Sequence, residues 1–294
     1  MLHLGTDSFC SHLASHYNVP LCCLYSCSPS SISGPYFGDK SKHTLFDAYK
    51  RVKNGKPSYA AEEPYPKSIN SVFPEEIANA VFKLLNIDFK CPFETVYIGE
   101  KYCNQLVREL IPNFNLNLNT PNVPIEVRMD LHFDEKTLAQ QLQISKCVVI
   151  TNKPVNLDLL RQFKSNIIAV VYEIGQDDQP EFIKNLRSLG IQMLLVSYLS
   201  QDEVNAKKIN YYEIGKINKI EETKKETIDK LKGDLPNLYY QANKILASEG
   251  QFYMTNAGRI NNQPIQSDFS FHKFVDCAET WRDLPFIHVI KKTT

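Results

Sequence analysis

Asp7, Ser8 and His12 sit close together at the head of an apolar-periodic segment, in GTDSFCSHLASHY. A strand, a polar turn and then a helix put the first helical N–H groups at the carboxyl edge of a sheet. There the unpaired donors and the helix dipole favour a diphosphate. Ser8 adds a hydroxyl donor. Asp7 accepts only, which suits a ribose or sugar hydroxyl or a helix cap. His12, one turn in, would face the phosphates, and Thr6 and Phe9 complete the candidate binding set. The loop from Ser28 to Gly38 would cover a nucleotide. Each residue also has a plain structural reading: Asp7 and Ser8 are ordinary N-cap types, and a lone helical histidine is more often packed or solvated than a ligand contact.

Other constellations carry less. Asp130, His132 and Asp134 in MDLHFDE would share one side of an extended segment at a strand end, so Asp130 and Asp134 are candidates for a catalytic base. A solvated loop with an N-cap at Asp134 explains the pattern equally well. His272, Asp276, Cys277 and Glu279 suggest a thiol nucleophile, but no oxyanion-hole pattern accompanies them. Neither GxGxxG after a strand nor GxxxxGK[ST] is present, so a dinucleotide fingerprint and a P-loop are both unsupported. The eight cysteines lie mostly in apolar runs. Cys10, Cys22, Cys23 and Cys27 lack the paired spacing of a structural zinc site, and no metal site is expected.

The elements that must position these residues alternate along most of the chain. LHLG, PLCCLYS, ETVYIGE, IEVRMDL, KCVVIT, NIIAVVYEIG, IQMLLVSYL and INYYEI read as strands. Residues 8–17, FPEEIANAVFKLL, KYCNQLVRELI, DEKTLAQQLQ, LDLLRQF, PEFIKNLRSLG and QDEVNAKK read as helices. Residues 40 to 70 read as a long loop with one short strand. Strands this apolar are expected to be covered on both faces, as in a doubly wound sheet. The fold class expected is α/β, with two Rossmann-like parallel-sheet domains of GT-B type, the first incomplete, and an aromatic C-terminal α+β tail. The boundaries expected are 1–90 for a partial nucleotide-sugar-binding domain, 91–216 for a second Rossmann-like domain, and 217–294 for the tail. In the tail, KINKIEETKKETIDKLKG and LPNLYYQANKILASEG read as helices and the remainder as strands or a hairpin.

Composition sets limits. The chain is 43% hydrophobic and 22% charged, with 33 basic and 33 acidic residues. A zero net charge argues against a dedicated nucleic-acid binder. No apolar run is long enough for a transmembrane helix, and the first residues lack the basic start of a secretory signal, so a cytoplasmic chain is expected.

The stretch GTDSFCSHLASHYNVPLCCLYS resembles the donor-side signature of the heptosyltransferase family of glycosyltransferases. In that family a strand is followed by D-[ST]-G-x-x-H-[LIM]-A and then by a G-V-P strand. Asp7, Ser8, His12, Leu13, Ala14, Val19 and Pro20 stand at the matching positions. SCSPSSISGPYFGDK resembles its P-T-x-P-x-x-x-G-P-Y loop, and SINSVFPEEIANAVFKLL its closing helix. The resemblance covers about residues 2 to 87. Phe9 and Cys10 replace the family's glycine and proline, and the family's upstream acceptor domain has no counterpart here. The resemblance implies transfer of a sugar from a nucleotide-diphosphate sugar to an acceptor hydroxyl of a glycan, lipid or protein, with no added cofactor. It also implies a missing N-terminal domain or a partner chain to complete the donor layers. Two other readings stay open: a non-catalytic scaffold derived from a glycosyltransferase, and an unrelated α/β enzyme.

Overall fold

The computed structural model of the chain describes residues 1–51, 67–102, 106–114, 123–177, 179–212, 214–220, 223, 225–266 and 271–293. It divides into two units, Met1–Glu100 with Val289–Thr294, and Lys101–His288.

The first unit begins β1 (His3–Thr6), α1 (Phe9–His16), β2 (Leu21–Tyr25), α2 (Ser30–Ser33) and β3 (His43–Asp47). The three strands form a parallel sheet in the order β1-β2-β3, with His3 opposite Leu21 and Leu21 opposite His43. The central strand is the buried one. Leu21, Cys23 and Tyr25 pack with Ala14 and Leu45, as a strand with neighbours on both sides requires. Next come α3 (Pro74–Leu84) and β4 (Phe93–Ile98). Pro74 opens α3, and Glu76 Oε2 accepts from the Phe73 N–H at 2.9 Å, satisfying a donor that the helix leaves over. Glu75 fastens α3 to β4, accepting from Thr95 N and Oγ1 at 2.6 and 2.8 Å.

The second unit runs β5 (Val107–Leu110), β6 (Ile125–Arg128), α4 (Glu135–Ile144), β7 (Cys147–Thr151), α5 (Leu157–Gln162), β8 (Ile167–Glu173), α6 (Pro180–Ser188), β9 (Met193–Ser197), α7 (Gln201–Tyr211) and β10 (Ile217–Lys219). It continues α8 (Lys225–Asp234), β11 (Leu238–Ala242), β12 (Lys244–Ser248), β13 (Gln251–Tyr253), α9 (Asn256–Ile260), β14 (His272–Lys273) and α10 (Ala278–Asp283). The final strand, β15 (Ile287–Lys292), carries the chain back to the first unit. There it runs beside β4, and the Thr293 N–H donates to the Pro92 carbonyl at 3.0 Å.

The large sheet of the second unit has the order β10-β9-β8-β7-β6-β5-β12-β13, parallel except for β13. From β5 to β10 each strand is laid beside the last in one direction. Right-handed crossovers then place α4, α5, α6 and α7 on a single face. Burial agrees: Leu138, Leu142, Leu160, Ile183, Leu186 and Val204 from those helices share one core with Ile125, Val127, Val149, Val170 and Tyr172 from the strands. After β10 the chain returns across the sheet and β12 is laid on the other side of β5. The β5/β12 boundary is therefore a topological switch point. Glu249 and Gly250, both at positive φ (50° and 77°), turn β12 into β13, the backbone of a two-residue hairpin whose twist matches the strands.

Among the described residues the structure is a mixed α/β fold with a large, mostly parallel sheet, as the alternation of elements predicts. No helix among them is long and apolar enough to cross a membrane.

Several elements differ from the sequence-based expectation. The sheet is not covered alike on both faces. Along β6 and β7 burial alternates, and Leu194 on β9, in register with Val171 on the face away from the helices, is 47% exposed, because all four crossover helices lie on one side. Residues 107–110, expected in a helix, form β5, since β6 and β12 supply ladders on both its edges; 103–105 lie outside the described residues. INYYEI is not a strand. Ser200 and Glu203 close a reciprocal cap on α7, Val204 and Tyr211 both turn into the core, and the helix runs through Ile209. The strand comes later, at Ile217–Lys219. The segment 238–248, expected as a helix, is β11 and β12. Its apolar residues imitate a helical stripe, but Leu238 and Tyr240 are buried at a period of two in β11, and β12, with neighbours on both edges, buries Lys244, Leu246, Ala247 and Ser248. Of the expected long loop from 40 to 70, residues 52–66 lie outside the described residues, and β3 is the short strand within the rest.

Candidate functional site

The face of the large sheet opposite the helices carries charge. Lys244 lies opposite Val107 in register, so it shares a face with Glu109. Glu109 is opposite Glu126, and Arg128 is opposite Ile150. Above this face α9, α10 and the turn that follows contribute Asn256, Glu279, Arg282, Asp283 and Phe286, and together they enclose a pocket of about 270 Å³. Its lining reaches the carboxyl ends of β6 to β9 through Asp130, Glu173 and Tyr198. Ligands of open α/β sheets gather at this edge, near a switch point.

An ion network forms the floor. Arg128 gives Nε and Nη2 to Asp130 Oδ1 and Oδ2 at 2.9 and 2.7 Å, a bidentate pair, and Nη1 to Glu109 Oε1 at 3.0 Å. Lys244 enters from the amino end of β12. Its four-carbon stem spans the roughly 6.6 Å of two strand residues to bring Nζ within 3.0 Å of the same Glu109 oxygen. That Nζ is also 3.6 Å from Asp283 Oδ1 and 3.9 Å above the Phe286 ring centroid. Glu109 and Lys244 are only 2% and 7% exposed. Removing one partner of such a pair strands the other charge, at a cost of about 3–5 kcal/mol. Glu109 Oε2 and Asp283 Oδ2 are buried and accept no hydrogen bond from the described residues.

The carboxyls of this face are driven apart in acidity. Burial pushes Glu109 up, but Lys244 and Arg128 outweigh it and hold the group below the ordinary carboxylate range. Across the strand, burial and then the Glu109 charge push Glu126 up. Burial and the Asp130 charge raise Glu173, with Arg282 and Arg128 opposing. Asp283 is raised chiefly by burial. Burial and Glu173 raise the Tyr198 phenol, over whose ring Arg282 stacks at 5.0 Å. Neither the Glu126 nor the Glu173 carboxyl forms a side-chain hydrogen bond within the described residues. Groups of one chemical type pushed in opposite directions side by side are a mark of acid–base sites.

In the first unit, Thr6, Asp7, Ser8 and Phe9 are all exposed and His12 is half-buried. Thr6 ends β1, and Asp7 Oδ2 accepts from Ser28 Oγ at 2.9 Å, tying the β1 end to the following loop. Ser8 is the N-cap of α1 without a side-chain cap bond, and Phe9 is 77% exposed. Asp47, at the end of β3, holds the same loop through Ser30 N and Oγ at 2.8 and 2.9 Å.

Asp130 lines the second unit's pocket, whereas Asp134 caps α4, accepting from Lys136 N, Thr137 N and Thr137 Oγ1. The segment between them is a turn, not an extended strand: the Leu131 and His132 N–H groups both donate to the Arg128 carbonyl. Asp130, His132 and Asp134 therefore do not share one side. The tail set is dispersed as well. Asp276 pairs with Trp281 Nε1 and Lys232, Cys277 Sγ contacts Thr280 Oγ1, and His272 packs edge-on against Tyr240. Glu279 alone of the four lines the pocket.

Glu109, Glu126, Glu173, Lys244 and Asp283 escape sequence reasoning. One signal was present: IEVR sets Glu126 and Arg128 at alternate positions inside an otherwise apolar strand, which marks one face of the sheet as polar.

No protein-family model, curated protein or solved structure matches the chain.

Proposed function

We propose that this chain is a nucleotide-sugar-dependent glycosyltransferase of GT-B type, with Glu173 as the base that takes the acceptor hydroxyl's proton. The observation that carries this reading is Glu173 itself. It is a half-buried carboxyl without a hydrogen-bond partner among the described residues, at the carboxyl end of a central parallel strand, with its affinity for a proton raised. A base does most when its pKa is brought toward the working pH. Burial, and after it the Asp130 charge, keep it raised, and Arg282 offers positive charge nearby. The donor class comes from the resemblance of residues 2–87, whose Asp7 to His12 segment would hold the nucleotide sugar at the start of α1. No metal or cofactor is part of this reading, nor is a nucleic-acid partner.

The test is nucleotide release from ADP-, UDP-, GDP- and CDP-sugars, with and without sugar acceptors, together with titration of the free nucleotides. Glu173→Gln is expected to slow release by about 10²-fold or more without changing nucleotide affinity. Asp7→Ala and His12→Ala are expected to weaken that affinity. A folded chain that neither binds a nucleotide nor releases one would sink the proposal. The second reading is a non-catalytic scaffold. Phe9 favours it, since its exposed ring stands where the resembled family has a glycine that lets the backbone approach its ligand.

A further inference from the structure

The buried wall of the second unit's pocket pairs its cations with its own carboxylates and leaves acceptor oxygens over. Arg128 gives Nε and Nη2 to Asp130 and Nη1 to Glu109. Lys244 Nζ is held by Glu109 and Asp283 and covered by the Phe286 ring. Against these two cations stand six carboxyls: Glu109, Glu126, Asp130, Glu173, Glu279 and Asp283. Glu109 Oε2 and Asp283 Oδ2 are buried and accept no hydrogen bond from the described residues, and the Glu109 side chain is 2% exposed. Arg282 and Lys101 are exposed and stack on Tyr198 and Phe286, so they lie outside the buried wall.

A phosphate or carboxylate entering here would meet acceptor oxygens and like charge, the two buried cations being already paired with carboxylates. Hydroxyls would satisfy the orphaned oxygens but leave the excess negative charge. An ammonium group supplies both a charge and three donors. It fits best beside Glu126, which lies two strands away from Lys244 and whose carboxyl accepts no side-chain hydrogen bond from the described residues even though Arg128 stands two residues on. The volume, about 270 Å³, falls just under the range of drug-sized ligand sites and suits a single ring.

We propose that the pocket binds a small amino sugar, its protonated amine against Glu126 and its hydroxyls donating to Glu109 Oε2 and Asp283 Oδ2. As the acceptor of the proposed transfer, the amino sugar rests on the glycosyltransferase reading; as a ligand it does not.

The experiment is calorimetric titration of the full chain at about pH 7 with glucosamine, glucose, N-acetylglucosamine and glucose 6-phosphate, repeated on Glu126→Gln and Glu173→Gln. Glucosamine is expected to bind about tenfold more tightly than glucose or N-acetylglucosamine, the advantage of one charge-assisted bond. Glu126→Gln should reduce that advantage to about twofold or less while its circular dichroism stays that of the parent. Equal affinity for glucose and glucosamine would overturn the proposal, as would tighter binding of the phosphate or no saturation by a folded chain. Glu173→Gln separates the two readings: retained glucosamine binding without any nucleotide release, in parent and variant alike, keeps the ligand and removes the transferase. Release that proceeds without preference for the amine does the reverse.

Discussion

Glu126 and Glu109 face each other across β5 and β6, and of the two Glu109 is the one bonded to cations. Glu126 is raised by burial and by its neighbour's charge, so the folded protein holds that proton more tightly than the unfolded chain. The stability it lends is complete below the unfolded carboxylate range and is lost as pH rises through its folded value. Glu109 behaves in the opposite sense. Burial opposes its charge, but Lys244 and Arg128 prevail, so its contribution is present above the ordinary range and is lost as pH falls through the depressed folded value. Glu126→Gln should therefore stabilise the protein at about pH 8 by roughly 0.5 kcal/mol, the scale of a like-charged cross-strand pair. The gain should fade toward about pH 4, where both proteins carry a neutral group at this position. Urea denaturation across that range measures it. A variant less stable than the parent at the alkaline end would show that the Glu126 charge is compensated.

At the scale of elements, Asp134 is a cap. It accepts from two backbone N–H groups and the Thr137 hydroxyl at the head of α4. Asp134→Ala should cost about 1 kcal/mol, Asp134→Ser should restore most of that, and any turnover should stay at the parental rate in both. A loss of turnover out of proportion to stability would return Asp134 to the chemistry. This residue also shows how far the sequence could be read. Asp134 followed by EKTLAQQLQ announces a helix start by local chemistry alone, and α1, α3, α4, α6 and most of the parallel strands were legible in the same way. β5 and β12 were not. Their residues are strand only because each lies along the other, and that pairing joins positions far apart in the chain. Glu109 and Lys244 were lost with them, as half of an ion pair looks like a solvated charge until its partner is placed. Asp130 was legible as a residue but not as a partner of Arg128, because the turn that follows β6 was read as extended.

For the whole molecule, the return of the chain end matters most. Val289–Thr294 belong with Met1–Glu100, and Val289 and Ile290 are almost fully buried. A chain ending at His288 should lose hydrogen-exchange protection in β4 and then β2, while amides of β6 to β9 exchange as before; protection unchanged in β4 would mean that its pairing with β15 contributes little. The β5–β12 pairing has a second consequence, in time. Glu109 and Lys244 are 135 residues apart, which at roughly 5–20 residues per second is on the order of 7 to 27 s of synthesis. Throughout that interval the emerging strands from β5 to β10 can align, but Glu109 has Arg128 as its one cation and β5 keeps an open edge. The ribosome-bound chain thus passes through a stage in which the future floor of the pocket is a wet, unpaired carboxylate beside an exposed strand. Binding by a chaperone would be most useful during that interval, before residue 244 emerges.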